Sequence, residues 1–283
     1  MPNPPQKIQD DSKSLKFLYK TPIGRACLKI LCAPGLSRLC GAFLSSSLSA
    51  FLIKPFVRKN NIDLSLYQSK KYHDFNEFFT RKILPEKRPV DMRPESFTAP
   101  CDGLLSAYRI KQDTVIPVKQ SRYSIGDLLD SDEKAKFFED GICLVFRLCV
   151  DHYHRYFYND DCVPSRPYFI KGKLHTVRPI ALERVPVFTS NSREVTFMDT
   201  ENFGTIAQIE VGAMLVGKIK NHEMTGPAKR GQEKGMFLYG GSTVILLVSK
   251  DKVSIAEDLY RNTQDYMETP VRWGEKIGEK KEV

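Results

Sequence analysis

The stretch Phe237-Leu-Tyr-Gly-Gly-Ser-Thr-Val-Ile-Leu-Leu-Val248 sets two glycines and a serine directly in front of an apolar run. Thr243–Val248 is short and apolar, and with the glycine pair before it the run reads as a strand. Paired glycines permit a turn that other residues resist. Such a turn lets the Ser242 hydroxyl reach the carbonyl carbon of Gly241 and shift the acyl group from nitrogen to oxygen. Elimination from that ester leaves dehydroalanine, which hydrolyses to a pyruvoyl group. Taken alone, the stretch reads first as a glycine hairpin feeding a strand. A nucleophile elbow, G-x-S-x-G leading into a helix, fits neither Val244 at its last position nor the strand that follows.

Upstream of this strand, from Thr98 onward, further short β-rich runs are separated by Gly, Pro and Asp/Asn turns. They are Leu104–Ile110, Ile142–Val150, Ile206–Val211 and Met214–Ile219. Many short strands without long helical patterns between them argue for an antiparallel β body. Residues 71–84 place Phe75, Phe78, Phe79 and Ile83 at helical spacing, with Pro85 and Pro89 closing the segment, and predict an amphipathic structural helix. The fold class expected is α+β: a mainly antiparallel β body over residues 71–283, with an N-terminal helical, membrane-associating region over 1–70.

That N-terminal region carries the charge. The chain's net charge is +9, yet residues 1–60 hold ten Lys/Arg against Asp10 and Asp11, so the remainder is close to neutral. A cationic arm on a neutral body suits an anionic surface, whether of lipid headgroups or nucleic acid. No basic–aromatic stripe or nucleic-acid motif accompanies the charge, and nucleic acid is set aside as a partner. Within the arm, Leu39–Ile53 (LCGAFLSSSLSAFLI) is uncharged but only 15 residues long with four serines, too short to span a bilayer. Flanked by Arg38, Lys54, Arg58 and Lys59, it reads as an interfacial helix or as a helix packed on the protein's own core. It begins well inside the chain after a polar start, unlike a cleaved signal peptide. Seven cysteines, odd in number and without a C-x-x-C pair, give no disulfide framework and suit a reducing, cytoplasmic-side setting.

Two other places could carry chemistry. Cys149-Val-Asp-His-Tyr-His-Arg-Tyr156 follows a strand-like run, and if the strand continues His152 and His154 share a face. Two such histidines could bind a metal, exchange protons or cap a strand end; Asp160, Asp161 and Cys162 add no recognised ligand pattern, so no metal is expected. Proton exchange is favoured, because imidazole titrates near neutral pH. Asp102 lies in the Pro-x-Asp-Gly turn of Ala99–Gly103, a common turn dipeptide. An Asp that orients a His, and a His that takes a serine proton, is the logic of an activated hydroxyl nucleophile.

With these segments in hand, the chain resembles the phosphatidylserine decarboxylase family, especially bacterial forms with a Gly-Gly-Ser-Thr cleavage site. The likeness runs from about Tyr72 to Val248. It includes FNEFFTRKILPEKRP (75–89), APCDG (99–103), DHYHRY (151–156), the NSREV and FG stretch (191–204), VGAMLVGKI (211–219) and GQEKGMFLYGGSTVILL (231–247). The resemblance implies a proenzyme that cuts itself between Gly241 and Ser242, driven by a relay of Asp102, His154 and Ser242. It implies a β chain of 1–241 and an α chain of 242–283 beginning with a pyruvoyl cofactor derived from Ser242. That group would form a Schiff base with phosphatidylserine and release carbon dioxide and phosphatidylethanolamine. Some members carry a histidine where this chain has Phe157, so the base is assigned to His154 and a substrate-carboxylate role to His152. The expected partners are an anionic phospholipid membrane, the phosphatidylserine substrate and the two chains of the precursor, with a homo-oligomer as a candidate assembly. The expected location is peripheral, on the cytoplasmic face of the cell membrane. A pyruvoyl decarboxylase of another amine-bearing carboxylate, and a non-enzymatic anionic-lipid-binding module, are the alternatives.

Overall fold

The computed structural model describes residues 4–7, 12–32, 34–68, 70–111, 115–118, 121–182, 185–213, 218–240 and 242–281. Gly241 and most of the expected strand Met214–Ile219 lie outside them.

Twelve strands organise the body: β1 (Gln6–Lys7), β2 (Gly103–Arg109), β3 (Ile142–Leu148), β4 (Arg155–Phe157), β5 (Cys162–Pro164), β6 (Tyr168–Ile170), β7 (Arg193–Thr200), β8 (Gly204–Val211), β9 (Ile219–Asn221), β10 (Glu233–Phe237), β11 (Ser242–Val248) and β12 (Met267–Val271). The main sheet runs β1-β12-β2-β3-β11-β8-β7-β5, with β6 also paired to β7, and its pairings are antiparallel. A smaller sheet, β9-β10-β4, stands beside it. Smaller antiparallel pairings join Ser96–Thr98, Lys276–Lys280 and Val253–Ile255, and Val115–Val118 with Ser121–Ser124.

β11 is central, and all seven of its residues are buried. Alternate side chains serve two cores, one per face, as the two-residue period of a strand requires. Ile245 and Leu247 join Val145, Ile209 and the helix residues Tyr19 and Leu28 on one face. Val244 and Leu246 join Phe146, Phe97, Phe237 and Tyr156 on the other. A buried ion pair ties the two sheets together: Lys234 Nζ of β10 lies 2.9 and 3.0 Å from the Glu210 carboxylate of β8. All seven cysteines are free.

The N-terminal region is helical: α1 (Lys13–Lys20), α2 (Pro22–Leu31), α3 (Pro34–Leu44), a 3₁₀ segment Ser47–Leu52 and α4 (Ile53–Lys59). Ser12 caps α1, accepting from Leu15 N, and Thr21 caps α2, accepting from Gly24 N with Pro22 at the first position. The apolar stretch Leu39–Ile53 is therefore not one helix. Its serines break it: Ser46 Oγ donates to the Phe43 carbonyl, and Ser49 Oγ to the Leu44 and Ser46 carbonyls, competing with backbone N–H groups for those acceptors. The stretch has one packed side and one exposed side. Leu44 is buried against Phe75, Phe78 and Phe79, whereas Leu39 (71 %), Leu48 (73 %) and Phe51 (68 %) are exposed. No single helix among the described residues is long and apolar enough to cross a membrane; α2 and α3 meet that test only as a pair bent by 59°.

The helix expected over 71–84 is a single turn and a little more, α5 (Phe75–Phe79). Asp74 caps its start, accepting from Glu77 N at 2.8 Å. Its end is set from outside. The Thr80 carbonyl, which a longer helix would need, accepts Nε and Nη2 of Arg155 at 2.8 and 2.6 Å, and Leu84 N donates instead to Leu66 O.

Candidate active site

The register places the start of β2, the end of β3, the start of β11 and the end of β12 side by side. Val271 pairs with Gly103, Leu104 with Arg147, and Arg147 with Thr243. Asp102 precedes β2, the two histidines follow β3, and Ser242 opens β11, so one end of the main sheet collects Asp102, His152, His154 and Ser242. Asp102 and Ser242 are held apart there by the end of β3, about 10 Å in backbone terms for two strand spacings.

The strand carrying the histidines does not continue as the same-face expectation required. β3 stops at Leu148, and residues 149–152 turn, with His152 N donating to Cys149 O at 3.0 Å. The two imidazoles accordingly have different surroundings. His152 is half-buried, and its Nδ1 accepts the Cys149 N–H at 3.2 Å. His154 is fully buried, with its ring 4.1 Å from that of Phe79.

His154 Nδ1 lies 2.9 Å from the His152 carbonyl oxygen. A carbonyl only accepts, so Nδ1 carries the proton and Nε2 presents a lone pair. That Nε2 has no hydrogen-bond partner, although it is buried. Burial holds His154 well below the ordinary imidazole value, aided by the nearby His152 and Arg81 charges and opposed by the bond to the His152 carbonyl. The ring is neutral near pH 7 and poised to accept a proton.

Ser242 is fully buried, and its Oγ is likewise without a partner. A buried polar group left unsatisfied is costly and calls for an explanation. Gly240, at φ +138°, occupies a backbone region that glycine tolerates and L residues resist. The approach to Ser242 is clamped by α5: Tyr239 N donates to Asn76 Oδ1 at 2.9 Å, and the Phe75 and Phe79 rings each lie 5.1 Å from that of Tyr239. Phe237 N donates to His154 O, which ties the histidine to the strand leading into the glycine pair.

Asp102 is not hydrogen-bonded to His154. Its Oδ2 accepts Arg88 Nη2 at 3.0 Å and its Oδ1 accepts the Trp273 N–H at 3.0 Å. Burial raises the Asp102 carboxyl above its usual range, against the pull of the Arg88 charge, the Trp273 N–H and His152. The histidine that feels its charge is thus His152. Phe157, at the position where some family members have histidine, stacks on Trp273 with ring centroids 3.9 Å apart.

Several supporting residues carried no signal of their own in the sequence. Arg155 bridges α5 to Glu233, with Nη1 2.6 and 2.8 Å from the two carboxylate oxygens. Arg88 and Trp273 hold Asp102, and Asn76 holds Tyr239. Asp160 and Asp161 are structural: Asp160 pairs with Arg230 at 2.7 Å, and Asp161 accepts Lys229 Nζ and Arg230 N. Cys149, Asp151 and His152 bring potential ligand atoms within 4.8 Å of one another. Two of the candidate atoms are already engaged, since Arg147 Nη1 donates to Cys149 Sγ at 3.3 Å and Cys149 N–H occupies His152 Nδ1. A guanidinium on the sulfur opposes a cation there.

The residues present suit a carbonyl group made from residue 242. The side-chain position is buried and free of competing hydrogen bonds, and a buried neutral imidazole with an open acceptor is tied to the strand that leads toward it. Comparison with known proteins identifies the family. The family model described as phosphatidylserine decarboxylase matches residues 75–279. A phosphatidylserine decarboxylase proenzyme 2 of Clostridium acetobutylicum is 42 % identical over 266 residues, covering 94 % of this chain and 91 % of that protein. Proenzymes named for the same activity in Clostridium perfringens and Desulfitobacterium hafniense are 39 % and 36 % identical, covering 95 % and 94 % of this chain and 93 % and 91 % of theirs. The match spans the whole β body and most of the N-terminal arm, and the chain belongs to the phosphatidylserine decarboxylase family.

Proposed function

We propose that this decarboxylase is made as a self-cleaving precursor that matures at Gly241–Ser242 and then converts phosphatidylserine to phosphatidylethanolamine and carbon dioxide. The observation that carries the proposal is the pair of buried, unpartnered groups, His154 Nε2 and Ser242 Oγ. A lone pair on a neutral imidazole and a hydroxyl proton are complementary.

In this reading His154 Nε2 takes the Ser242 proton, and Oγ attacks the Gly241 carbonyl carbon. The C–O bond forms as the C–N bond between residues 241 and 242 breaks, and the amide nitrogen receives the proton. Loss of the residue 242 α proton expels the Gly241 carboxylate and leaves a carbon–carbon double bond. Water then adds and ammonia departs, which leaves the ketone of a pyruvoyl group at the head of chain 242–283. That group supplies an electron-withdrawing carbonyl able to take up the electron pair left by departing carbon dioxide. The buried setting of residue 242 excludes water, His152 faces the substrate carboxylate, and Asp102 sets the negative potential around His152.

The arm, residues 1–70, serves as a peripheral anchor on the cytoplasmic face of the cell membrane. Exposed Leu39, Leu48 and Phe51 supply apolar contact, and the surrounding lysines and arginines supply attraction to anionic lipid. Intact-mass spectrometry of the purified protein tests the maturation step. Fragments 1–241 and 242–283 are expected, the smaller carrying a ketone in place of its amino terminus. A wild-type chain that stays whole, or a His154→Ala chain that cleaves at the normal rate, would sink the scheme. Conversion of phosphatidylserine vesicles, compared with free serine, tests the substrate.

A further inference from the structure

Arg81 is fully buried, with 1 % of it exposed, and no carboxylate among the described residues forms an ion pair with it. Its guanidinium lies over two rings, 4.3 Å from the centroid of Tyr67 and 5.0 Å from that of Phe78. Nη2 donates to Tyr67 Oη at 3.2 Å and to the Asp151 carbonyl at 3.4 Å, while Nε and Nη1 are buried without a partner. Asp151 thus offers Arg81 its carbonyl, and its side chain belongs to an exposed residue. A cation buried without a counter-charge is costly, and stacking on two rings offsets only part of that cost.

The segment that Arg81 holds is the one that carries the histidines. Arg81 follows α5 and reaches the carbonyl of Asp151, while Arg155 reaches back from the other end of the segment to the Thr80 carbonyl. Residues 151–155 are tied at both ends to the end of α5. Between the ties, the His152 carbonyl fixes Nδ1 of His154 and Phe79 packs on its ring. The two arginines differ in charge, because the Glu233 carboxylate neutralises Arg155 and no carboxylate neutralises Arg81. The other titratable groups around this segment leave that charge standing. Burial holds the phenols of Tyr72, Tyr153 and Tyr239 above their ordinary value and His152 below its own, so all four are neutral near pH 7. Glu77 on α5 pairs with Lys70, Glu233 is also met by His222, and the anions Asp102 and Asp151 act on His152. The Arg81 charge reaches the His154 ring.

We infer that Arg81 is a positioning residue for His154: it clamps the histidine segment to α5, and its unpaired charge keeps the imidazole from meeting Ser242 already protonated. The inference rests on the self-cleavage reading and adds to it the group that guards the base. A cation beside an imidazole disfavours the imidazolium. The charge therefore acts at both ends of the proton's path. His154 Nε2 stays open to take the Ser242 proton, and the imidazolium so formed is pressed to hand that proton to the amide nitrogen of residue 242 as its C–N bond breaks. One proton moves from oxygen to nitrogen, and none is gained or lost. Arg81 keeps its own protons throughout, because a guanidinium does not titrate in a protein. A costly buried charge beside the base of a reaction has a use there that it would lack elsewhere in the core.

Imidazole titration by NMR in the full-length, uncleavable Ser242→Ala chain reads the effect without scission, the His154 signal being identified by its loss in His154→Gln. Arg81→Met, which keeps bulk and removes charge, is expected to raise the His154 midpoint. Arg81→Lys, which keeps the charge and loses the planar fork, should return it toward the wild-type value. In chains with Ser242 intact, Arg81→Met should move the acid limb of self-cleavage to higher pH, slowing cleavage on that limb about tenfold for each unit of the shift. Arg81→Lys should restore most of that rate. Circular dichroism over the same pH range restricts the comparison to folded chains, and Arg81→Gln replaces Arg81→Met should the latter not fold. A His154 midpoint that does not move in the neutral variant would overturn the inference, even if cleavage slowed equally at every pH, since Arg81 would then be a clamp alone. So would a midpoint that Arg81→Lys fails to bring back. A chain in which Arg81 governs the His154 titration, yet which never cleaves with Ser242 in place, would uphold the inference and sink the self-cleavage reading.

Discussion

Arg88 Nη2 and Asp102 Oδ2 meet at 3.0 Å with both side chains nearly out of solvent. The guanidinium counters the burial that would otherwise drive the carboxyl further toward its neutral form. Arg88 is thus the residue that keeps Asp102 available as an anion. Arg88→Ala is expected to move the acid limb of decarboxylation to higher pH and to slow carbon dioxide release several-fold, because the Asp102 carboxyl loses the charge that opposes its burial. Arg88→Lys should restore part of the rate. Carbon dioxide release by the mature enzyme across pH 5–9 reads both, and an unshifted profile would assign the ion pair to structure alone.

The histidines should separate cleanly. His154→Ala is expected to leave the precursor uncut, whereas His152→Ala should still mature but decarboxylate poorly. The reason is that His152 Nδ1 is already engaged by Cys149 N–H and the residue is only half-buried, whereas Ser242 is fully buried. Time courses of cleavage and of carbon dioxide release distinguish the two defects.

Asn76 bonds Tyr239 N through Oδ1 and Ser45 Oγ through Nδ2. It joins the arm, α5 and the segment approaching the cleavage site. Asn76→Ala should therefore slow maturation while costing about 1–3 kcal/mol of stability, the penalty for a buried donor left without its acceptor. Phe79→Ala, which empties the space beside His154, should cost about 3–5 kcal/mol. Urea denaturation of Ser242→Ala backgrounds measures both without interference from cleavage.

Acid should destabilise the fold before any carboxylate in the usual range titrates. Burial depresses His152, His154 and His175 below the ordinary imidazole value. The unfolded chain takes up those protons as pH falls below about 6.5 while the folded chain does not. Stability is full above that value and falls as pH drops toward the folded values. Asp102 acts in the opposite sense: its raised value favours the folded state under acid conditions and withdraws that contribution as pH rises through it. Three groups against one predict a lower Tm at pH 5.5 than at pH 7.5, and equal values would contradict the buried neutral histidines.

The Lys234–Glu210 pair gives a strong single-residue effect. Lys234→Met strands a carboxylate that is fully buried and should cost about 3–5 kcal/mol, whereas replacing both partners with apolar residues should recover much of it. Chemical denaturation of the single and double variants decides between those outcomes.

The strands were the most legible part of the chain. Runs such as Ile142–Val150 and Thr243–Val248 are apolar and punctuated by turn residues, and their boundaries in the structure fall within two residues of the expected ones. The helices were less so, because their lengths are set by distant partners. Nothing local to residues 71–84 shows that Arg155 will take the Thr80 carbonyl and stop α5 at Phe79. For the candidate site, the sequence pointed to residues that the fold brings to one end of the sheet but not to how they are wired. Asp102, His152, His154 and Ser242 do gather at one sheet end. The partners that orient them, the His152 carbonyl, Arg88 and the Trp273 N–H, are supplied by the tertiary fold and leave no pattern of spacing to read.

The place of residues 242–283 in the main sheet bears on how maturation can proceed at all. They contribute β11, inserted between β3 and β8, and β12, inserted between β1 and β2. The segment is woven into the larger one at two separate positions, like a thread passed twice through the same cloth. A cut at residue 241 therefore severs the chain without releasing either part, but it removes the tether that brought them together. Assembly must precede scission, and a mature enzyme once unfolded would have to find its other half by collision, so maturation works as a ratchet on the history of the molecule.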